Sequence, residues 1–172
     1  IKSFFKAKKR TTKLSRKSLA QTGVWDVQVV INYVLTWGPT VTLSLHRLQL
    51  KTIVLLCLST VGRPRGEISQ LKVGDVTLRE EGLSVFVDQP KEGGNKVSHV
   101  GYQKEEDSEF CPVRTWIHFM EQTVHLHLSQ DDPLFFCYLD QDKRSPRPAR
   151  SSTVANWLKS VLKESGVDTD IY

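Results

Sequence analysis

Cysteine is scarce in this 172-residue chain: Cys57, Cys111 and Cys137 are far apart and form no CxxC pair. That pattern argues against a disulfide framework and against a zinc knuckle, and leads us to expect a reducing, intracellular compartment. Long apolar runs are missing as well. The longest, Ile53 to Leu58, falls far short of the roughly 20 residues needed to cross a bilayer, so no membrane partner is expected. No charged-then-apolar leader with a small-residue cleavage site follows Ile1, and the non-Met start reads as a piece of a longer polypeptide. What is present, 39% hydrophobic and 25% charged residues, is enough for one compact domain with an arm.

Acidic residues are absent before Asp26, whereas eight basic ones (Lys2, Lys6, Lys8, Lys9, Arg10, Lys13, Arg16 and Lys17) crowd the first 17 positions. The net charge of +5 therefore resides in the arm, residues 1–21. The other 16 basic residues face 19 acidic ones, a balance of −3. A run such as Lys8, Lys9, Arg10, Lys13, Arg16 and Lys17 can neutralise several phosphates and release their counterions, giving salt-sensitive, sequence-independent binding to nucleic acid. The same run also fits a solvated linker or a nuclear-import tag. A mildly acidic body must draw any affinity for nucleic acid from local clusters of charge. The best such cluster is the loop carrying Lys143, Arg144, Arg147 and Arg150.

Periodicity divides residues 22–172 into helices and one small hairpin. Val27, Val30, Ile31, Val34 and Leu35 share a helical face that stops at Gly38-Pro39, and a second helix, apolar on most sides, runs from near Ser44 to Thr60. The segment Val61 to Gly66 breaks it, and Glu67 to Leu71 resumes one or two turns. Between Val76 and Gln103 the period becomes two, with Gln89 to Lys96 as a Gly-containing hairpin loop. Pro112 opens a third helix with Val113, Trp116, Ile117 and Met120 as its stripe. Leu134 to Leu139 is a strand or a buried turn, Lys143 to Arg150 a loop, and Ser151 or Ser152 the cap of a last helix that ends at Gly166. The fold class expected is mainly α with a small antiparallel β-sheet.

Chemistry concentrates in the break after the second helix. Arg63 and Arg65 present permanently charged planar forks there, suited to clamping a phosphate, and Glu67 follows them. Lys91 stands at the start of the hairpin loop, where a mobile ammonium can reach a substrate oxygen as proton donor or counter-charge. His118, His125 and His127 match no zinc-box spacing, so no metal is expected. His99 is accounted for by strand alternation, and Trp25, Trp37, Trp116 and Trp157 by helix stripes or ends.

Taken together, these motifs resemble the tyrosine recombinases of the phage-integrase type. The run LQLKTIVLLCLSTVGRPRGEISQLKVGDV resembles the first signature box of that family, with Thr60, Arg63, Glu67, Leu71 and Asp75 at the positions of T-x-x-R, the acid, the leucine and the aspartate. Gln89-Pro90-Lys91 is similar to the family's hairpin lysine. More narrowly, VWDVQVVINYVLTWGP followed by LSLHRLQLK, FCPVRTWIHFM, PLFF and STVANWLKSVLKESGV resemble the recombinases of DIRS-type retrotransposons. The resemblance spans Val24 to Tyr172.

The resemblance implies cleavage and rejoining of double-stranded DNA through a 3′-phosphotyrosine, without metal or other cofactor, by a homotetramer in the nucleus that integrates a mobile element. It also implies that Arg63 or Arg65 is the first catalytic arginine, Lys91 the general acid and Glu67 the residue that orients the arginine loop. Two departures matter. The family spaces arginine and acid as R-x-x-E, whereas Pro64 stands at that arginine position; counting from Thr60 favours Arg63, and counting from a shortened loop favours Arg65. The chain also stops at Tyr172, before the expected H-x-x-R box and nucleophile, so it is expected to hold part of the catalytic domain and not to cut DNA alone. A non-catalytic DNA-binding remnant or domesticated scaffold is the alternative, and a basic-tailed helical interaction module is a third reading.

Overall fold

Ser44 starts the central helix, its hydroxyl accepting the Arg47 amide, and the backbone turns left-handed at Val61 (φ 52°) to end it. In the computed structural model, which describes residues 26–88, 90, 93–104, 109–140 and 144–169, this helix is α2 (Leu45–Thr60). It follows α1 (Val27–Leu35) and precedes a three-stranded antiparallel sheet, β1 (Val76–Arg79), β2 (Gly82–Val87) and β3 (Lys96–Gly101), ordered β1-β2-β3. Then come α3 (Pro112–Thr123), the short pair β4 (Phe136–Cys137) and β5 (Arg147–Pro148), and α4 (Ser151–Glu164). Helices joined to a small antiparallel sheet are thus observed, as the sequence patterns lead one to expect.

Ten of the sixteen residues of α2 are buried, which makes it the axis of the molecule. One side, with Leu48, Ile53, Leu56 and Cys57, packs on Ile68, Leu71, Val85, Val113, Trp116, Phe119 and Phe135 from the 68–71 turn, the sheet, α3 and the β4 region. The other side presents Val54 to Val30 and Val34 of α1, Val161 of α4 and Val167. Each fully buried Leu, Ile or Phe contributes on the order of 2 kcal/mol, so this double-sided helix carries much of the hydrophobic stabilisation.

Polar groups inside α2 are matched one by one. The Gln49 amide acts as a surrogate β-partner for β4: its Nε2 donates to the Phe136 carbonyl at 2.9 Å and its Oε1 accepts the Phe136 amide at 2.8 Å. Lys51, wholly buried, donates to Thr40 Oγ1 at 2.8 Å and pairs with Glu109 at 3.4 Å. Glu109 in turn accepts both the amide and the hydroxyl of Thr40. These contacts fasten α2 to the turn after α1 and to the entrance of α3.

Several local expectations are met and others are corrected. Pro112 opens α3, and Gly166 (φ 95°) closes α4 in a Schellman arrangement, with the Gly166 amide on Lys163 O and the Val167 amide on Leu162 O. The cap position of α4 is Arg150, and Ser151 is already helical, because the Arg150 carbonyl accepts the Thr153 and Val154 amides. The stretch 143–150 is not all loop, since Arg147–Pro148 pairs with Phe136–Cys137. Glu67 to Leu71 forms a 3-10 turn at Ile68–Gln70 rather than an α-turn. The two-residue-period region holds a first hairpin, β1 on β2, before the second, and in β2 Leu83, Val85 and Val87 face inward as their alternation predicts.

Candidate functional site

The end of α2 sets the geometry of the arginine loop. Val61 takes a left-handed conformation that a β-branched residue adopts only under strain, and it stands exposed at the rim. Gly62 has no room for a side chain, because a Cβ would lie 2.6 Å from Ile68 Cδ1 and 2.7 Å from Thr60 Oγ1. The chain then coils on itself, with the Glu67 and Ile68 amides donating to the Arg63 carbonyl at 2.9 and 3.1 Å.

Inside that coil the Glu67 carboxylate is almost completely buried and divides its oxygens. Oε2 accepts the Arg63 amide at 3.2 Å, and Oε1 accepts Arg63 Nε at 2.7 Å. Burial alone pushes the Glu67 carboxyl up. The hydrogen bonds from the Arg63 side chain and backbone, with the charges of Arg63 and Lys96, outweigh it and hold Glu67 below the usual carboxylate range. Glu67 is therefore ionised, and it spends only Nε of the guanidinium. The two terminal nitrogens of Arg63 have no partner among the described residues and are free to receive an anion.

A second cation arrives from the sheet. Lys96, the first residue of β3, donates its ammonium to the Thr60 carbonyl at 3.1 Å, at the negative end of α2, and lies 3.9 Å from Glu67 Oε2. Arg63, Glu67 and Lys96 line one open cleft of about 600 Å³ together with Val61, Pro90, Gly93, Asn95 and Val97. Cys57 lies beneath it, its thiol pushed up to about 12 by burial and by the Glu67 charge, so it is no nucleophile at neutral pH. The net result is an open cleft in which two cations, Arg63 and Lys96, face one buried carboxylate, with Val61, Pro90 and Val97 as apolar neighbours.

The residues singled out from the sequence fall as follows. Arg63 lines the cleft. Arg65 is exposed, is not among the lining residues, and contributes its backbone carbonyl to the Ser69 hydroxyl at 2.8 Å. Glu67 accepts both the Arg63 amide and Arg63 Nε. Lys91 lies outside the described residues, but Pro90 and Gly93 on either side of it line the cleft. Lys8, Lys9, Arg10, Lys13, Arg16, Lys17 and Lys143 also lie outside them, as do Trp25 and Tyr172. Arg144 and Arg147 are exposed and stand over the Tyr138 ring, with guanidinium carbons 4.9 and 5.0 Å from its centroid; Arg150 is exposed at the start of α4. Sequence reasoning missed Lys96. Its signal was its place at the far base of the Gly93-Gly94-Asn95 turn, and only the register of Val87 with Lys96 turns that into proximity to α2.

Among the described residues no group of three or more His, Cys, Asp and Glu side chains is placed to hold a metal ion, and no helix is long and apolar enough to cross a membrane. Compared with protein-family models, with curated proteins and with solved structures, the chain gives no match.

Proposed function

We propose that this chain is the DNA-binding part of a site-specific tyrosine recombinase, acting on double-stranded DNA for the integration of a mobile element. The observation that carries the reading is the meeting of Arg63, from the end of α2, with Lys96 and the base of the hairpin loop around one open cleft, the arginine being held there by a buried carboxylate. On this reading the free edge of Arg63 binds the non-bridging oxygens of a phosphodiester, where charge grows as the phosphorus is attacked. Lys91, between Pro90 and the Gly-rich turn, protonates the leaving 5′-oxygen. Lys96 holds the hairpin to α2 and adds positive potential. Arg65 stands outside the cleft and serves at most a flanking phosphate.

The nucleophilic tyrosine, a second arginine, the homotetramer on paired DNA and the nuclear setting belong to this reading through the family that the sequence resembles, whose chemistry needs no metal or cofactor. An in-frame H-x-x-R and a tyrosine downstream of residue 172 in the parent gene distinguish the enzyme from a DNA-binding remnant.

The reading is tested by duplex binding across a salt series with the intact chain, an Arg63→Gln/Arg65→Gln variant and a chain lacking residues 2–17. Both changes are expected to weaken binding, and the arm deletion to flatten the salt dependence most, since each phosphate contact contributes a slope of about 0.9. A double variant that binds as tightly as the parent, alongside an arm deletion that abolishes binding, would leave only a basic-tailed interaction module.

A further inference from the structure

The β4–β5 hairpin carries a second concentration of cationic fork groups that the cleft does not use. Tyr138, directly after β4, has a positive φ of 66°, a conformation that a non-glycine residue keeps only when its surroundings impose it. Arg144 and Arg147 both stack on its ring, and Arg147 Nη2 donates to the phenol oxygen at 3.0 Å. A ring held at its edge by one guanidinium and covered by another fixes two otherwise floppy side chains without neutralising either. Neither guanidinium has a carboxylate within ion-pair distance among the described residues.

Two hydrogen bonds give this cluster its place relative to the cleft. Asp140, two residues beyond Tyr138, accepts the His46 amide at 3.0 Å, which ties the hairpin to the first turn of α2. Lys96 ties the cleft to Thr60, the last residue of the same helix. At 1.5 Å per residue, His46 and Thr60 lie roughly 20 Å apart, or about six base-pair steps of duplex DNA.

We infer that Arg144 and Arg147, set on Tyr138, form a second phosphate contact at the opposite end of α2 from the Arg63–Lys96 cleft, and that one duplex engages both. This inference rests on the DNA reading and adds to it a footprint, a spacing and the residue Tyr138. The two contacts are physically separate, so they add nearly independently to the binding free energy.

The test is fluorescence anisotropy of the full chain on a duplex of about 24 base pairs, over a salt series, for the parent, Arg144→Gln/Arg147→Gln and a matched control, Lys159→Gln/Lys163→Gln, which removes two exposed charges from α4. The hairpin double variant is expected to lose on the order of tenfold in affinity and to lower the salt slope by about 0.9 for each phosphate the pair neutralises, the control much less. On a single-strand DNA hairpin whose stem of about five base pairs is closed by a tight loop, too short to reach both ends of α2, the parent is expected to show a shallower slope than on the long duplex. A hairpin variant that keeps the parent's affinity and slope, while Arg63→Gln weakens binding, overturns the second contact and leaves the DNA reading intact. A control that falls as far as the hairpin variant also overturns it, since bulk charge then explains the effect. A parent that binds no duplex DNA removes the DNA reading itself, and a parent that prefers duplex RNA reassigns the hairpin to RNA.

Discussion

Arg63 owes its place to Glu67, and that pairing has a measurable pH signature. The folded-state pKa of Glu67 lies below its unfolded value, so its stabilising contribution is complete above the ordinary carboxylate range, near pH 4.5, and is lost as pH falls through the lower folded value. Replacing Glu67 by Gln removes the charge and keeps the shape. The expected result is a loss of about 2 kcal/mol in urea unfolding at pH 7 that shrinks as the parent is acidified through and below the ordinary carboxylate range, together with weaker duplex binding because Arg63 is no longer held. Equal stability of parent and variant at pH 7 would show that the carboxylate does not hold the loop. At this scale the sequence was half legible: Arg63, Glu67 and the hairpin stand out by residue type and spacing. The choice between Arg63 and Arg65 was not legible, because it turns on which side chain the buried carboxylate captures, and that depends on the coil around Gly62 and the Arg63 carbonyl.

Among the elements, α2 was the most readable, because Ser44 and the 61–66 break mark its ends and its leucines fill both faces. Its most unusual occupant was not readable at all. Lys51 looks like any helix lysine until the fold places Thr40 and Glu109, 11 and 58 residues away, around its ammonium. Gln49 and Lys96 share that character, each completed by a partner that only tertiary packing supplies. β1 escaped notice as a separate strand for another reason: Val76-Thr77-Leu78-Arg79 alternates, but over only four residues, and its partner β2 is joined to it by a turn too short to stand out. Burial lowers the Lys51 pKa against the opposing pull of Glu109, so the ion pair is a matched but costly arrangement. Removing its two halves is therefore expected to be unequal. Lys51→Met keeps the buried stem and leaves Glu109 half in water, for a change within about 1 kcal/mol, whereas Glu109→Ala strands a buried ammonium and costs on the order of 2 kcal/mol or more. Chemical denaturation of the two variants checks the order; a Lys51→Met variant less stable than Glu109→Ala would contradict it.

For the molecule as a whole, the charge arithmetic and the geometry divide the work. The body is mildly acidic overall yet carries cationic groups at both ends of its central helix, in the Arg63–Lys96 cleft and on the Tyr138 hairpin. On the proposed reading the charge of the basic arm would attract a duplex at long range, and the local clusters would set where its backbone settles. The central claim is that the free edge of the Arg63 guanidinium meets a DNA phosphate. Its most direct test is side-chain nitrogen NMR of arginine-labelled protein titrated with a short duplex. The account predicts that the Arg63 Nε and Nη resonances shift with added DNA and that Arg65 moves far less. DNA that binds while the Arg63 resonances stay where they were would contradict it.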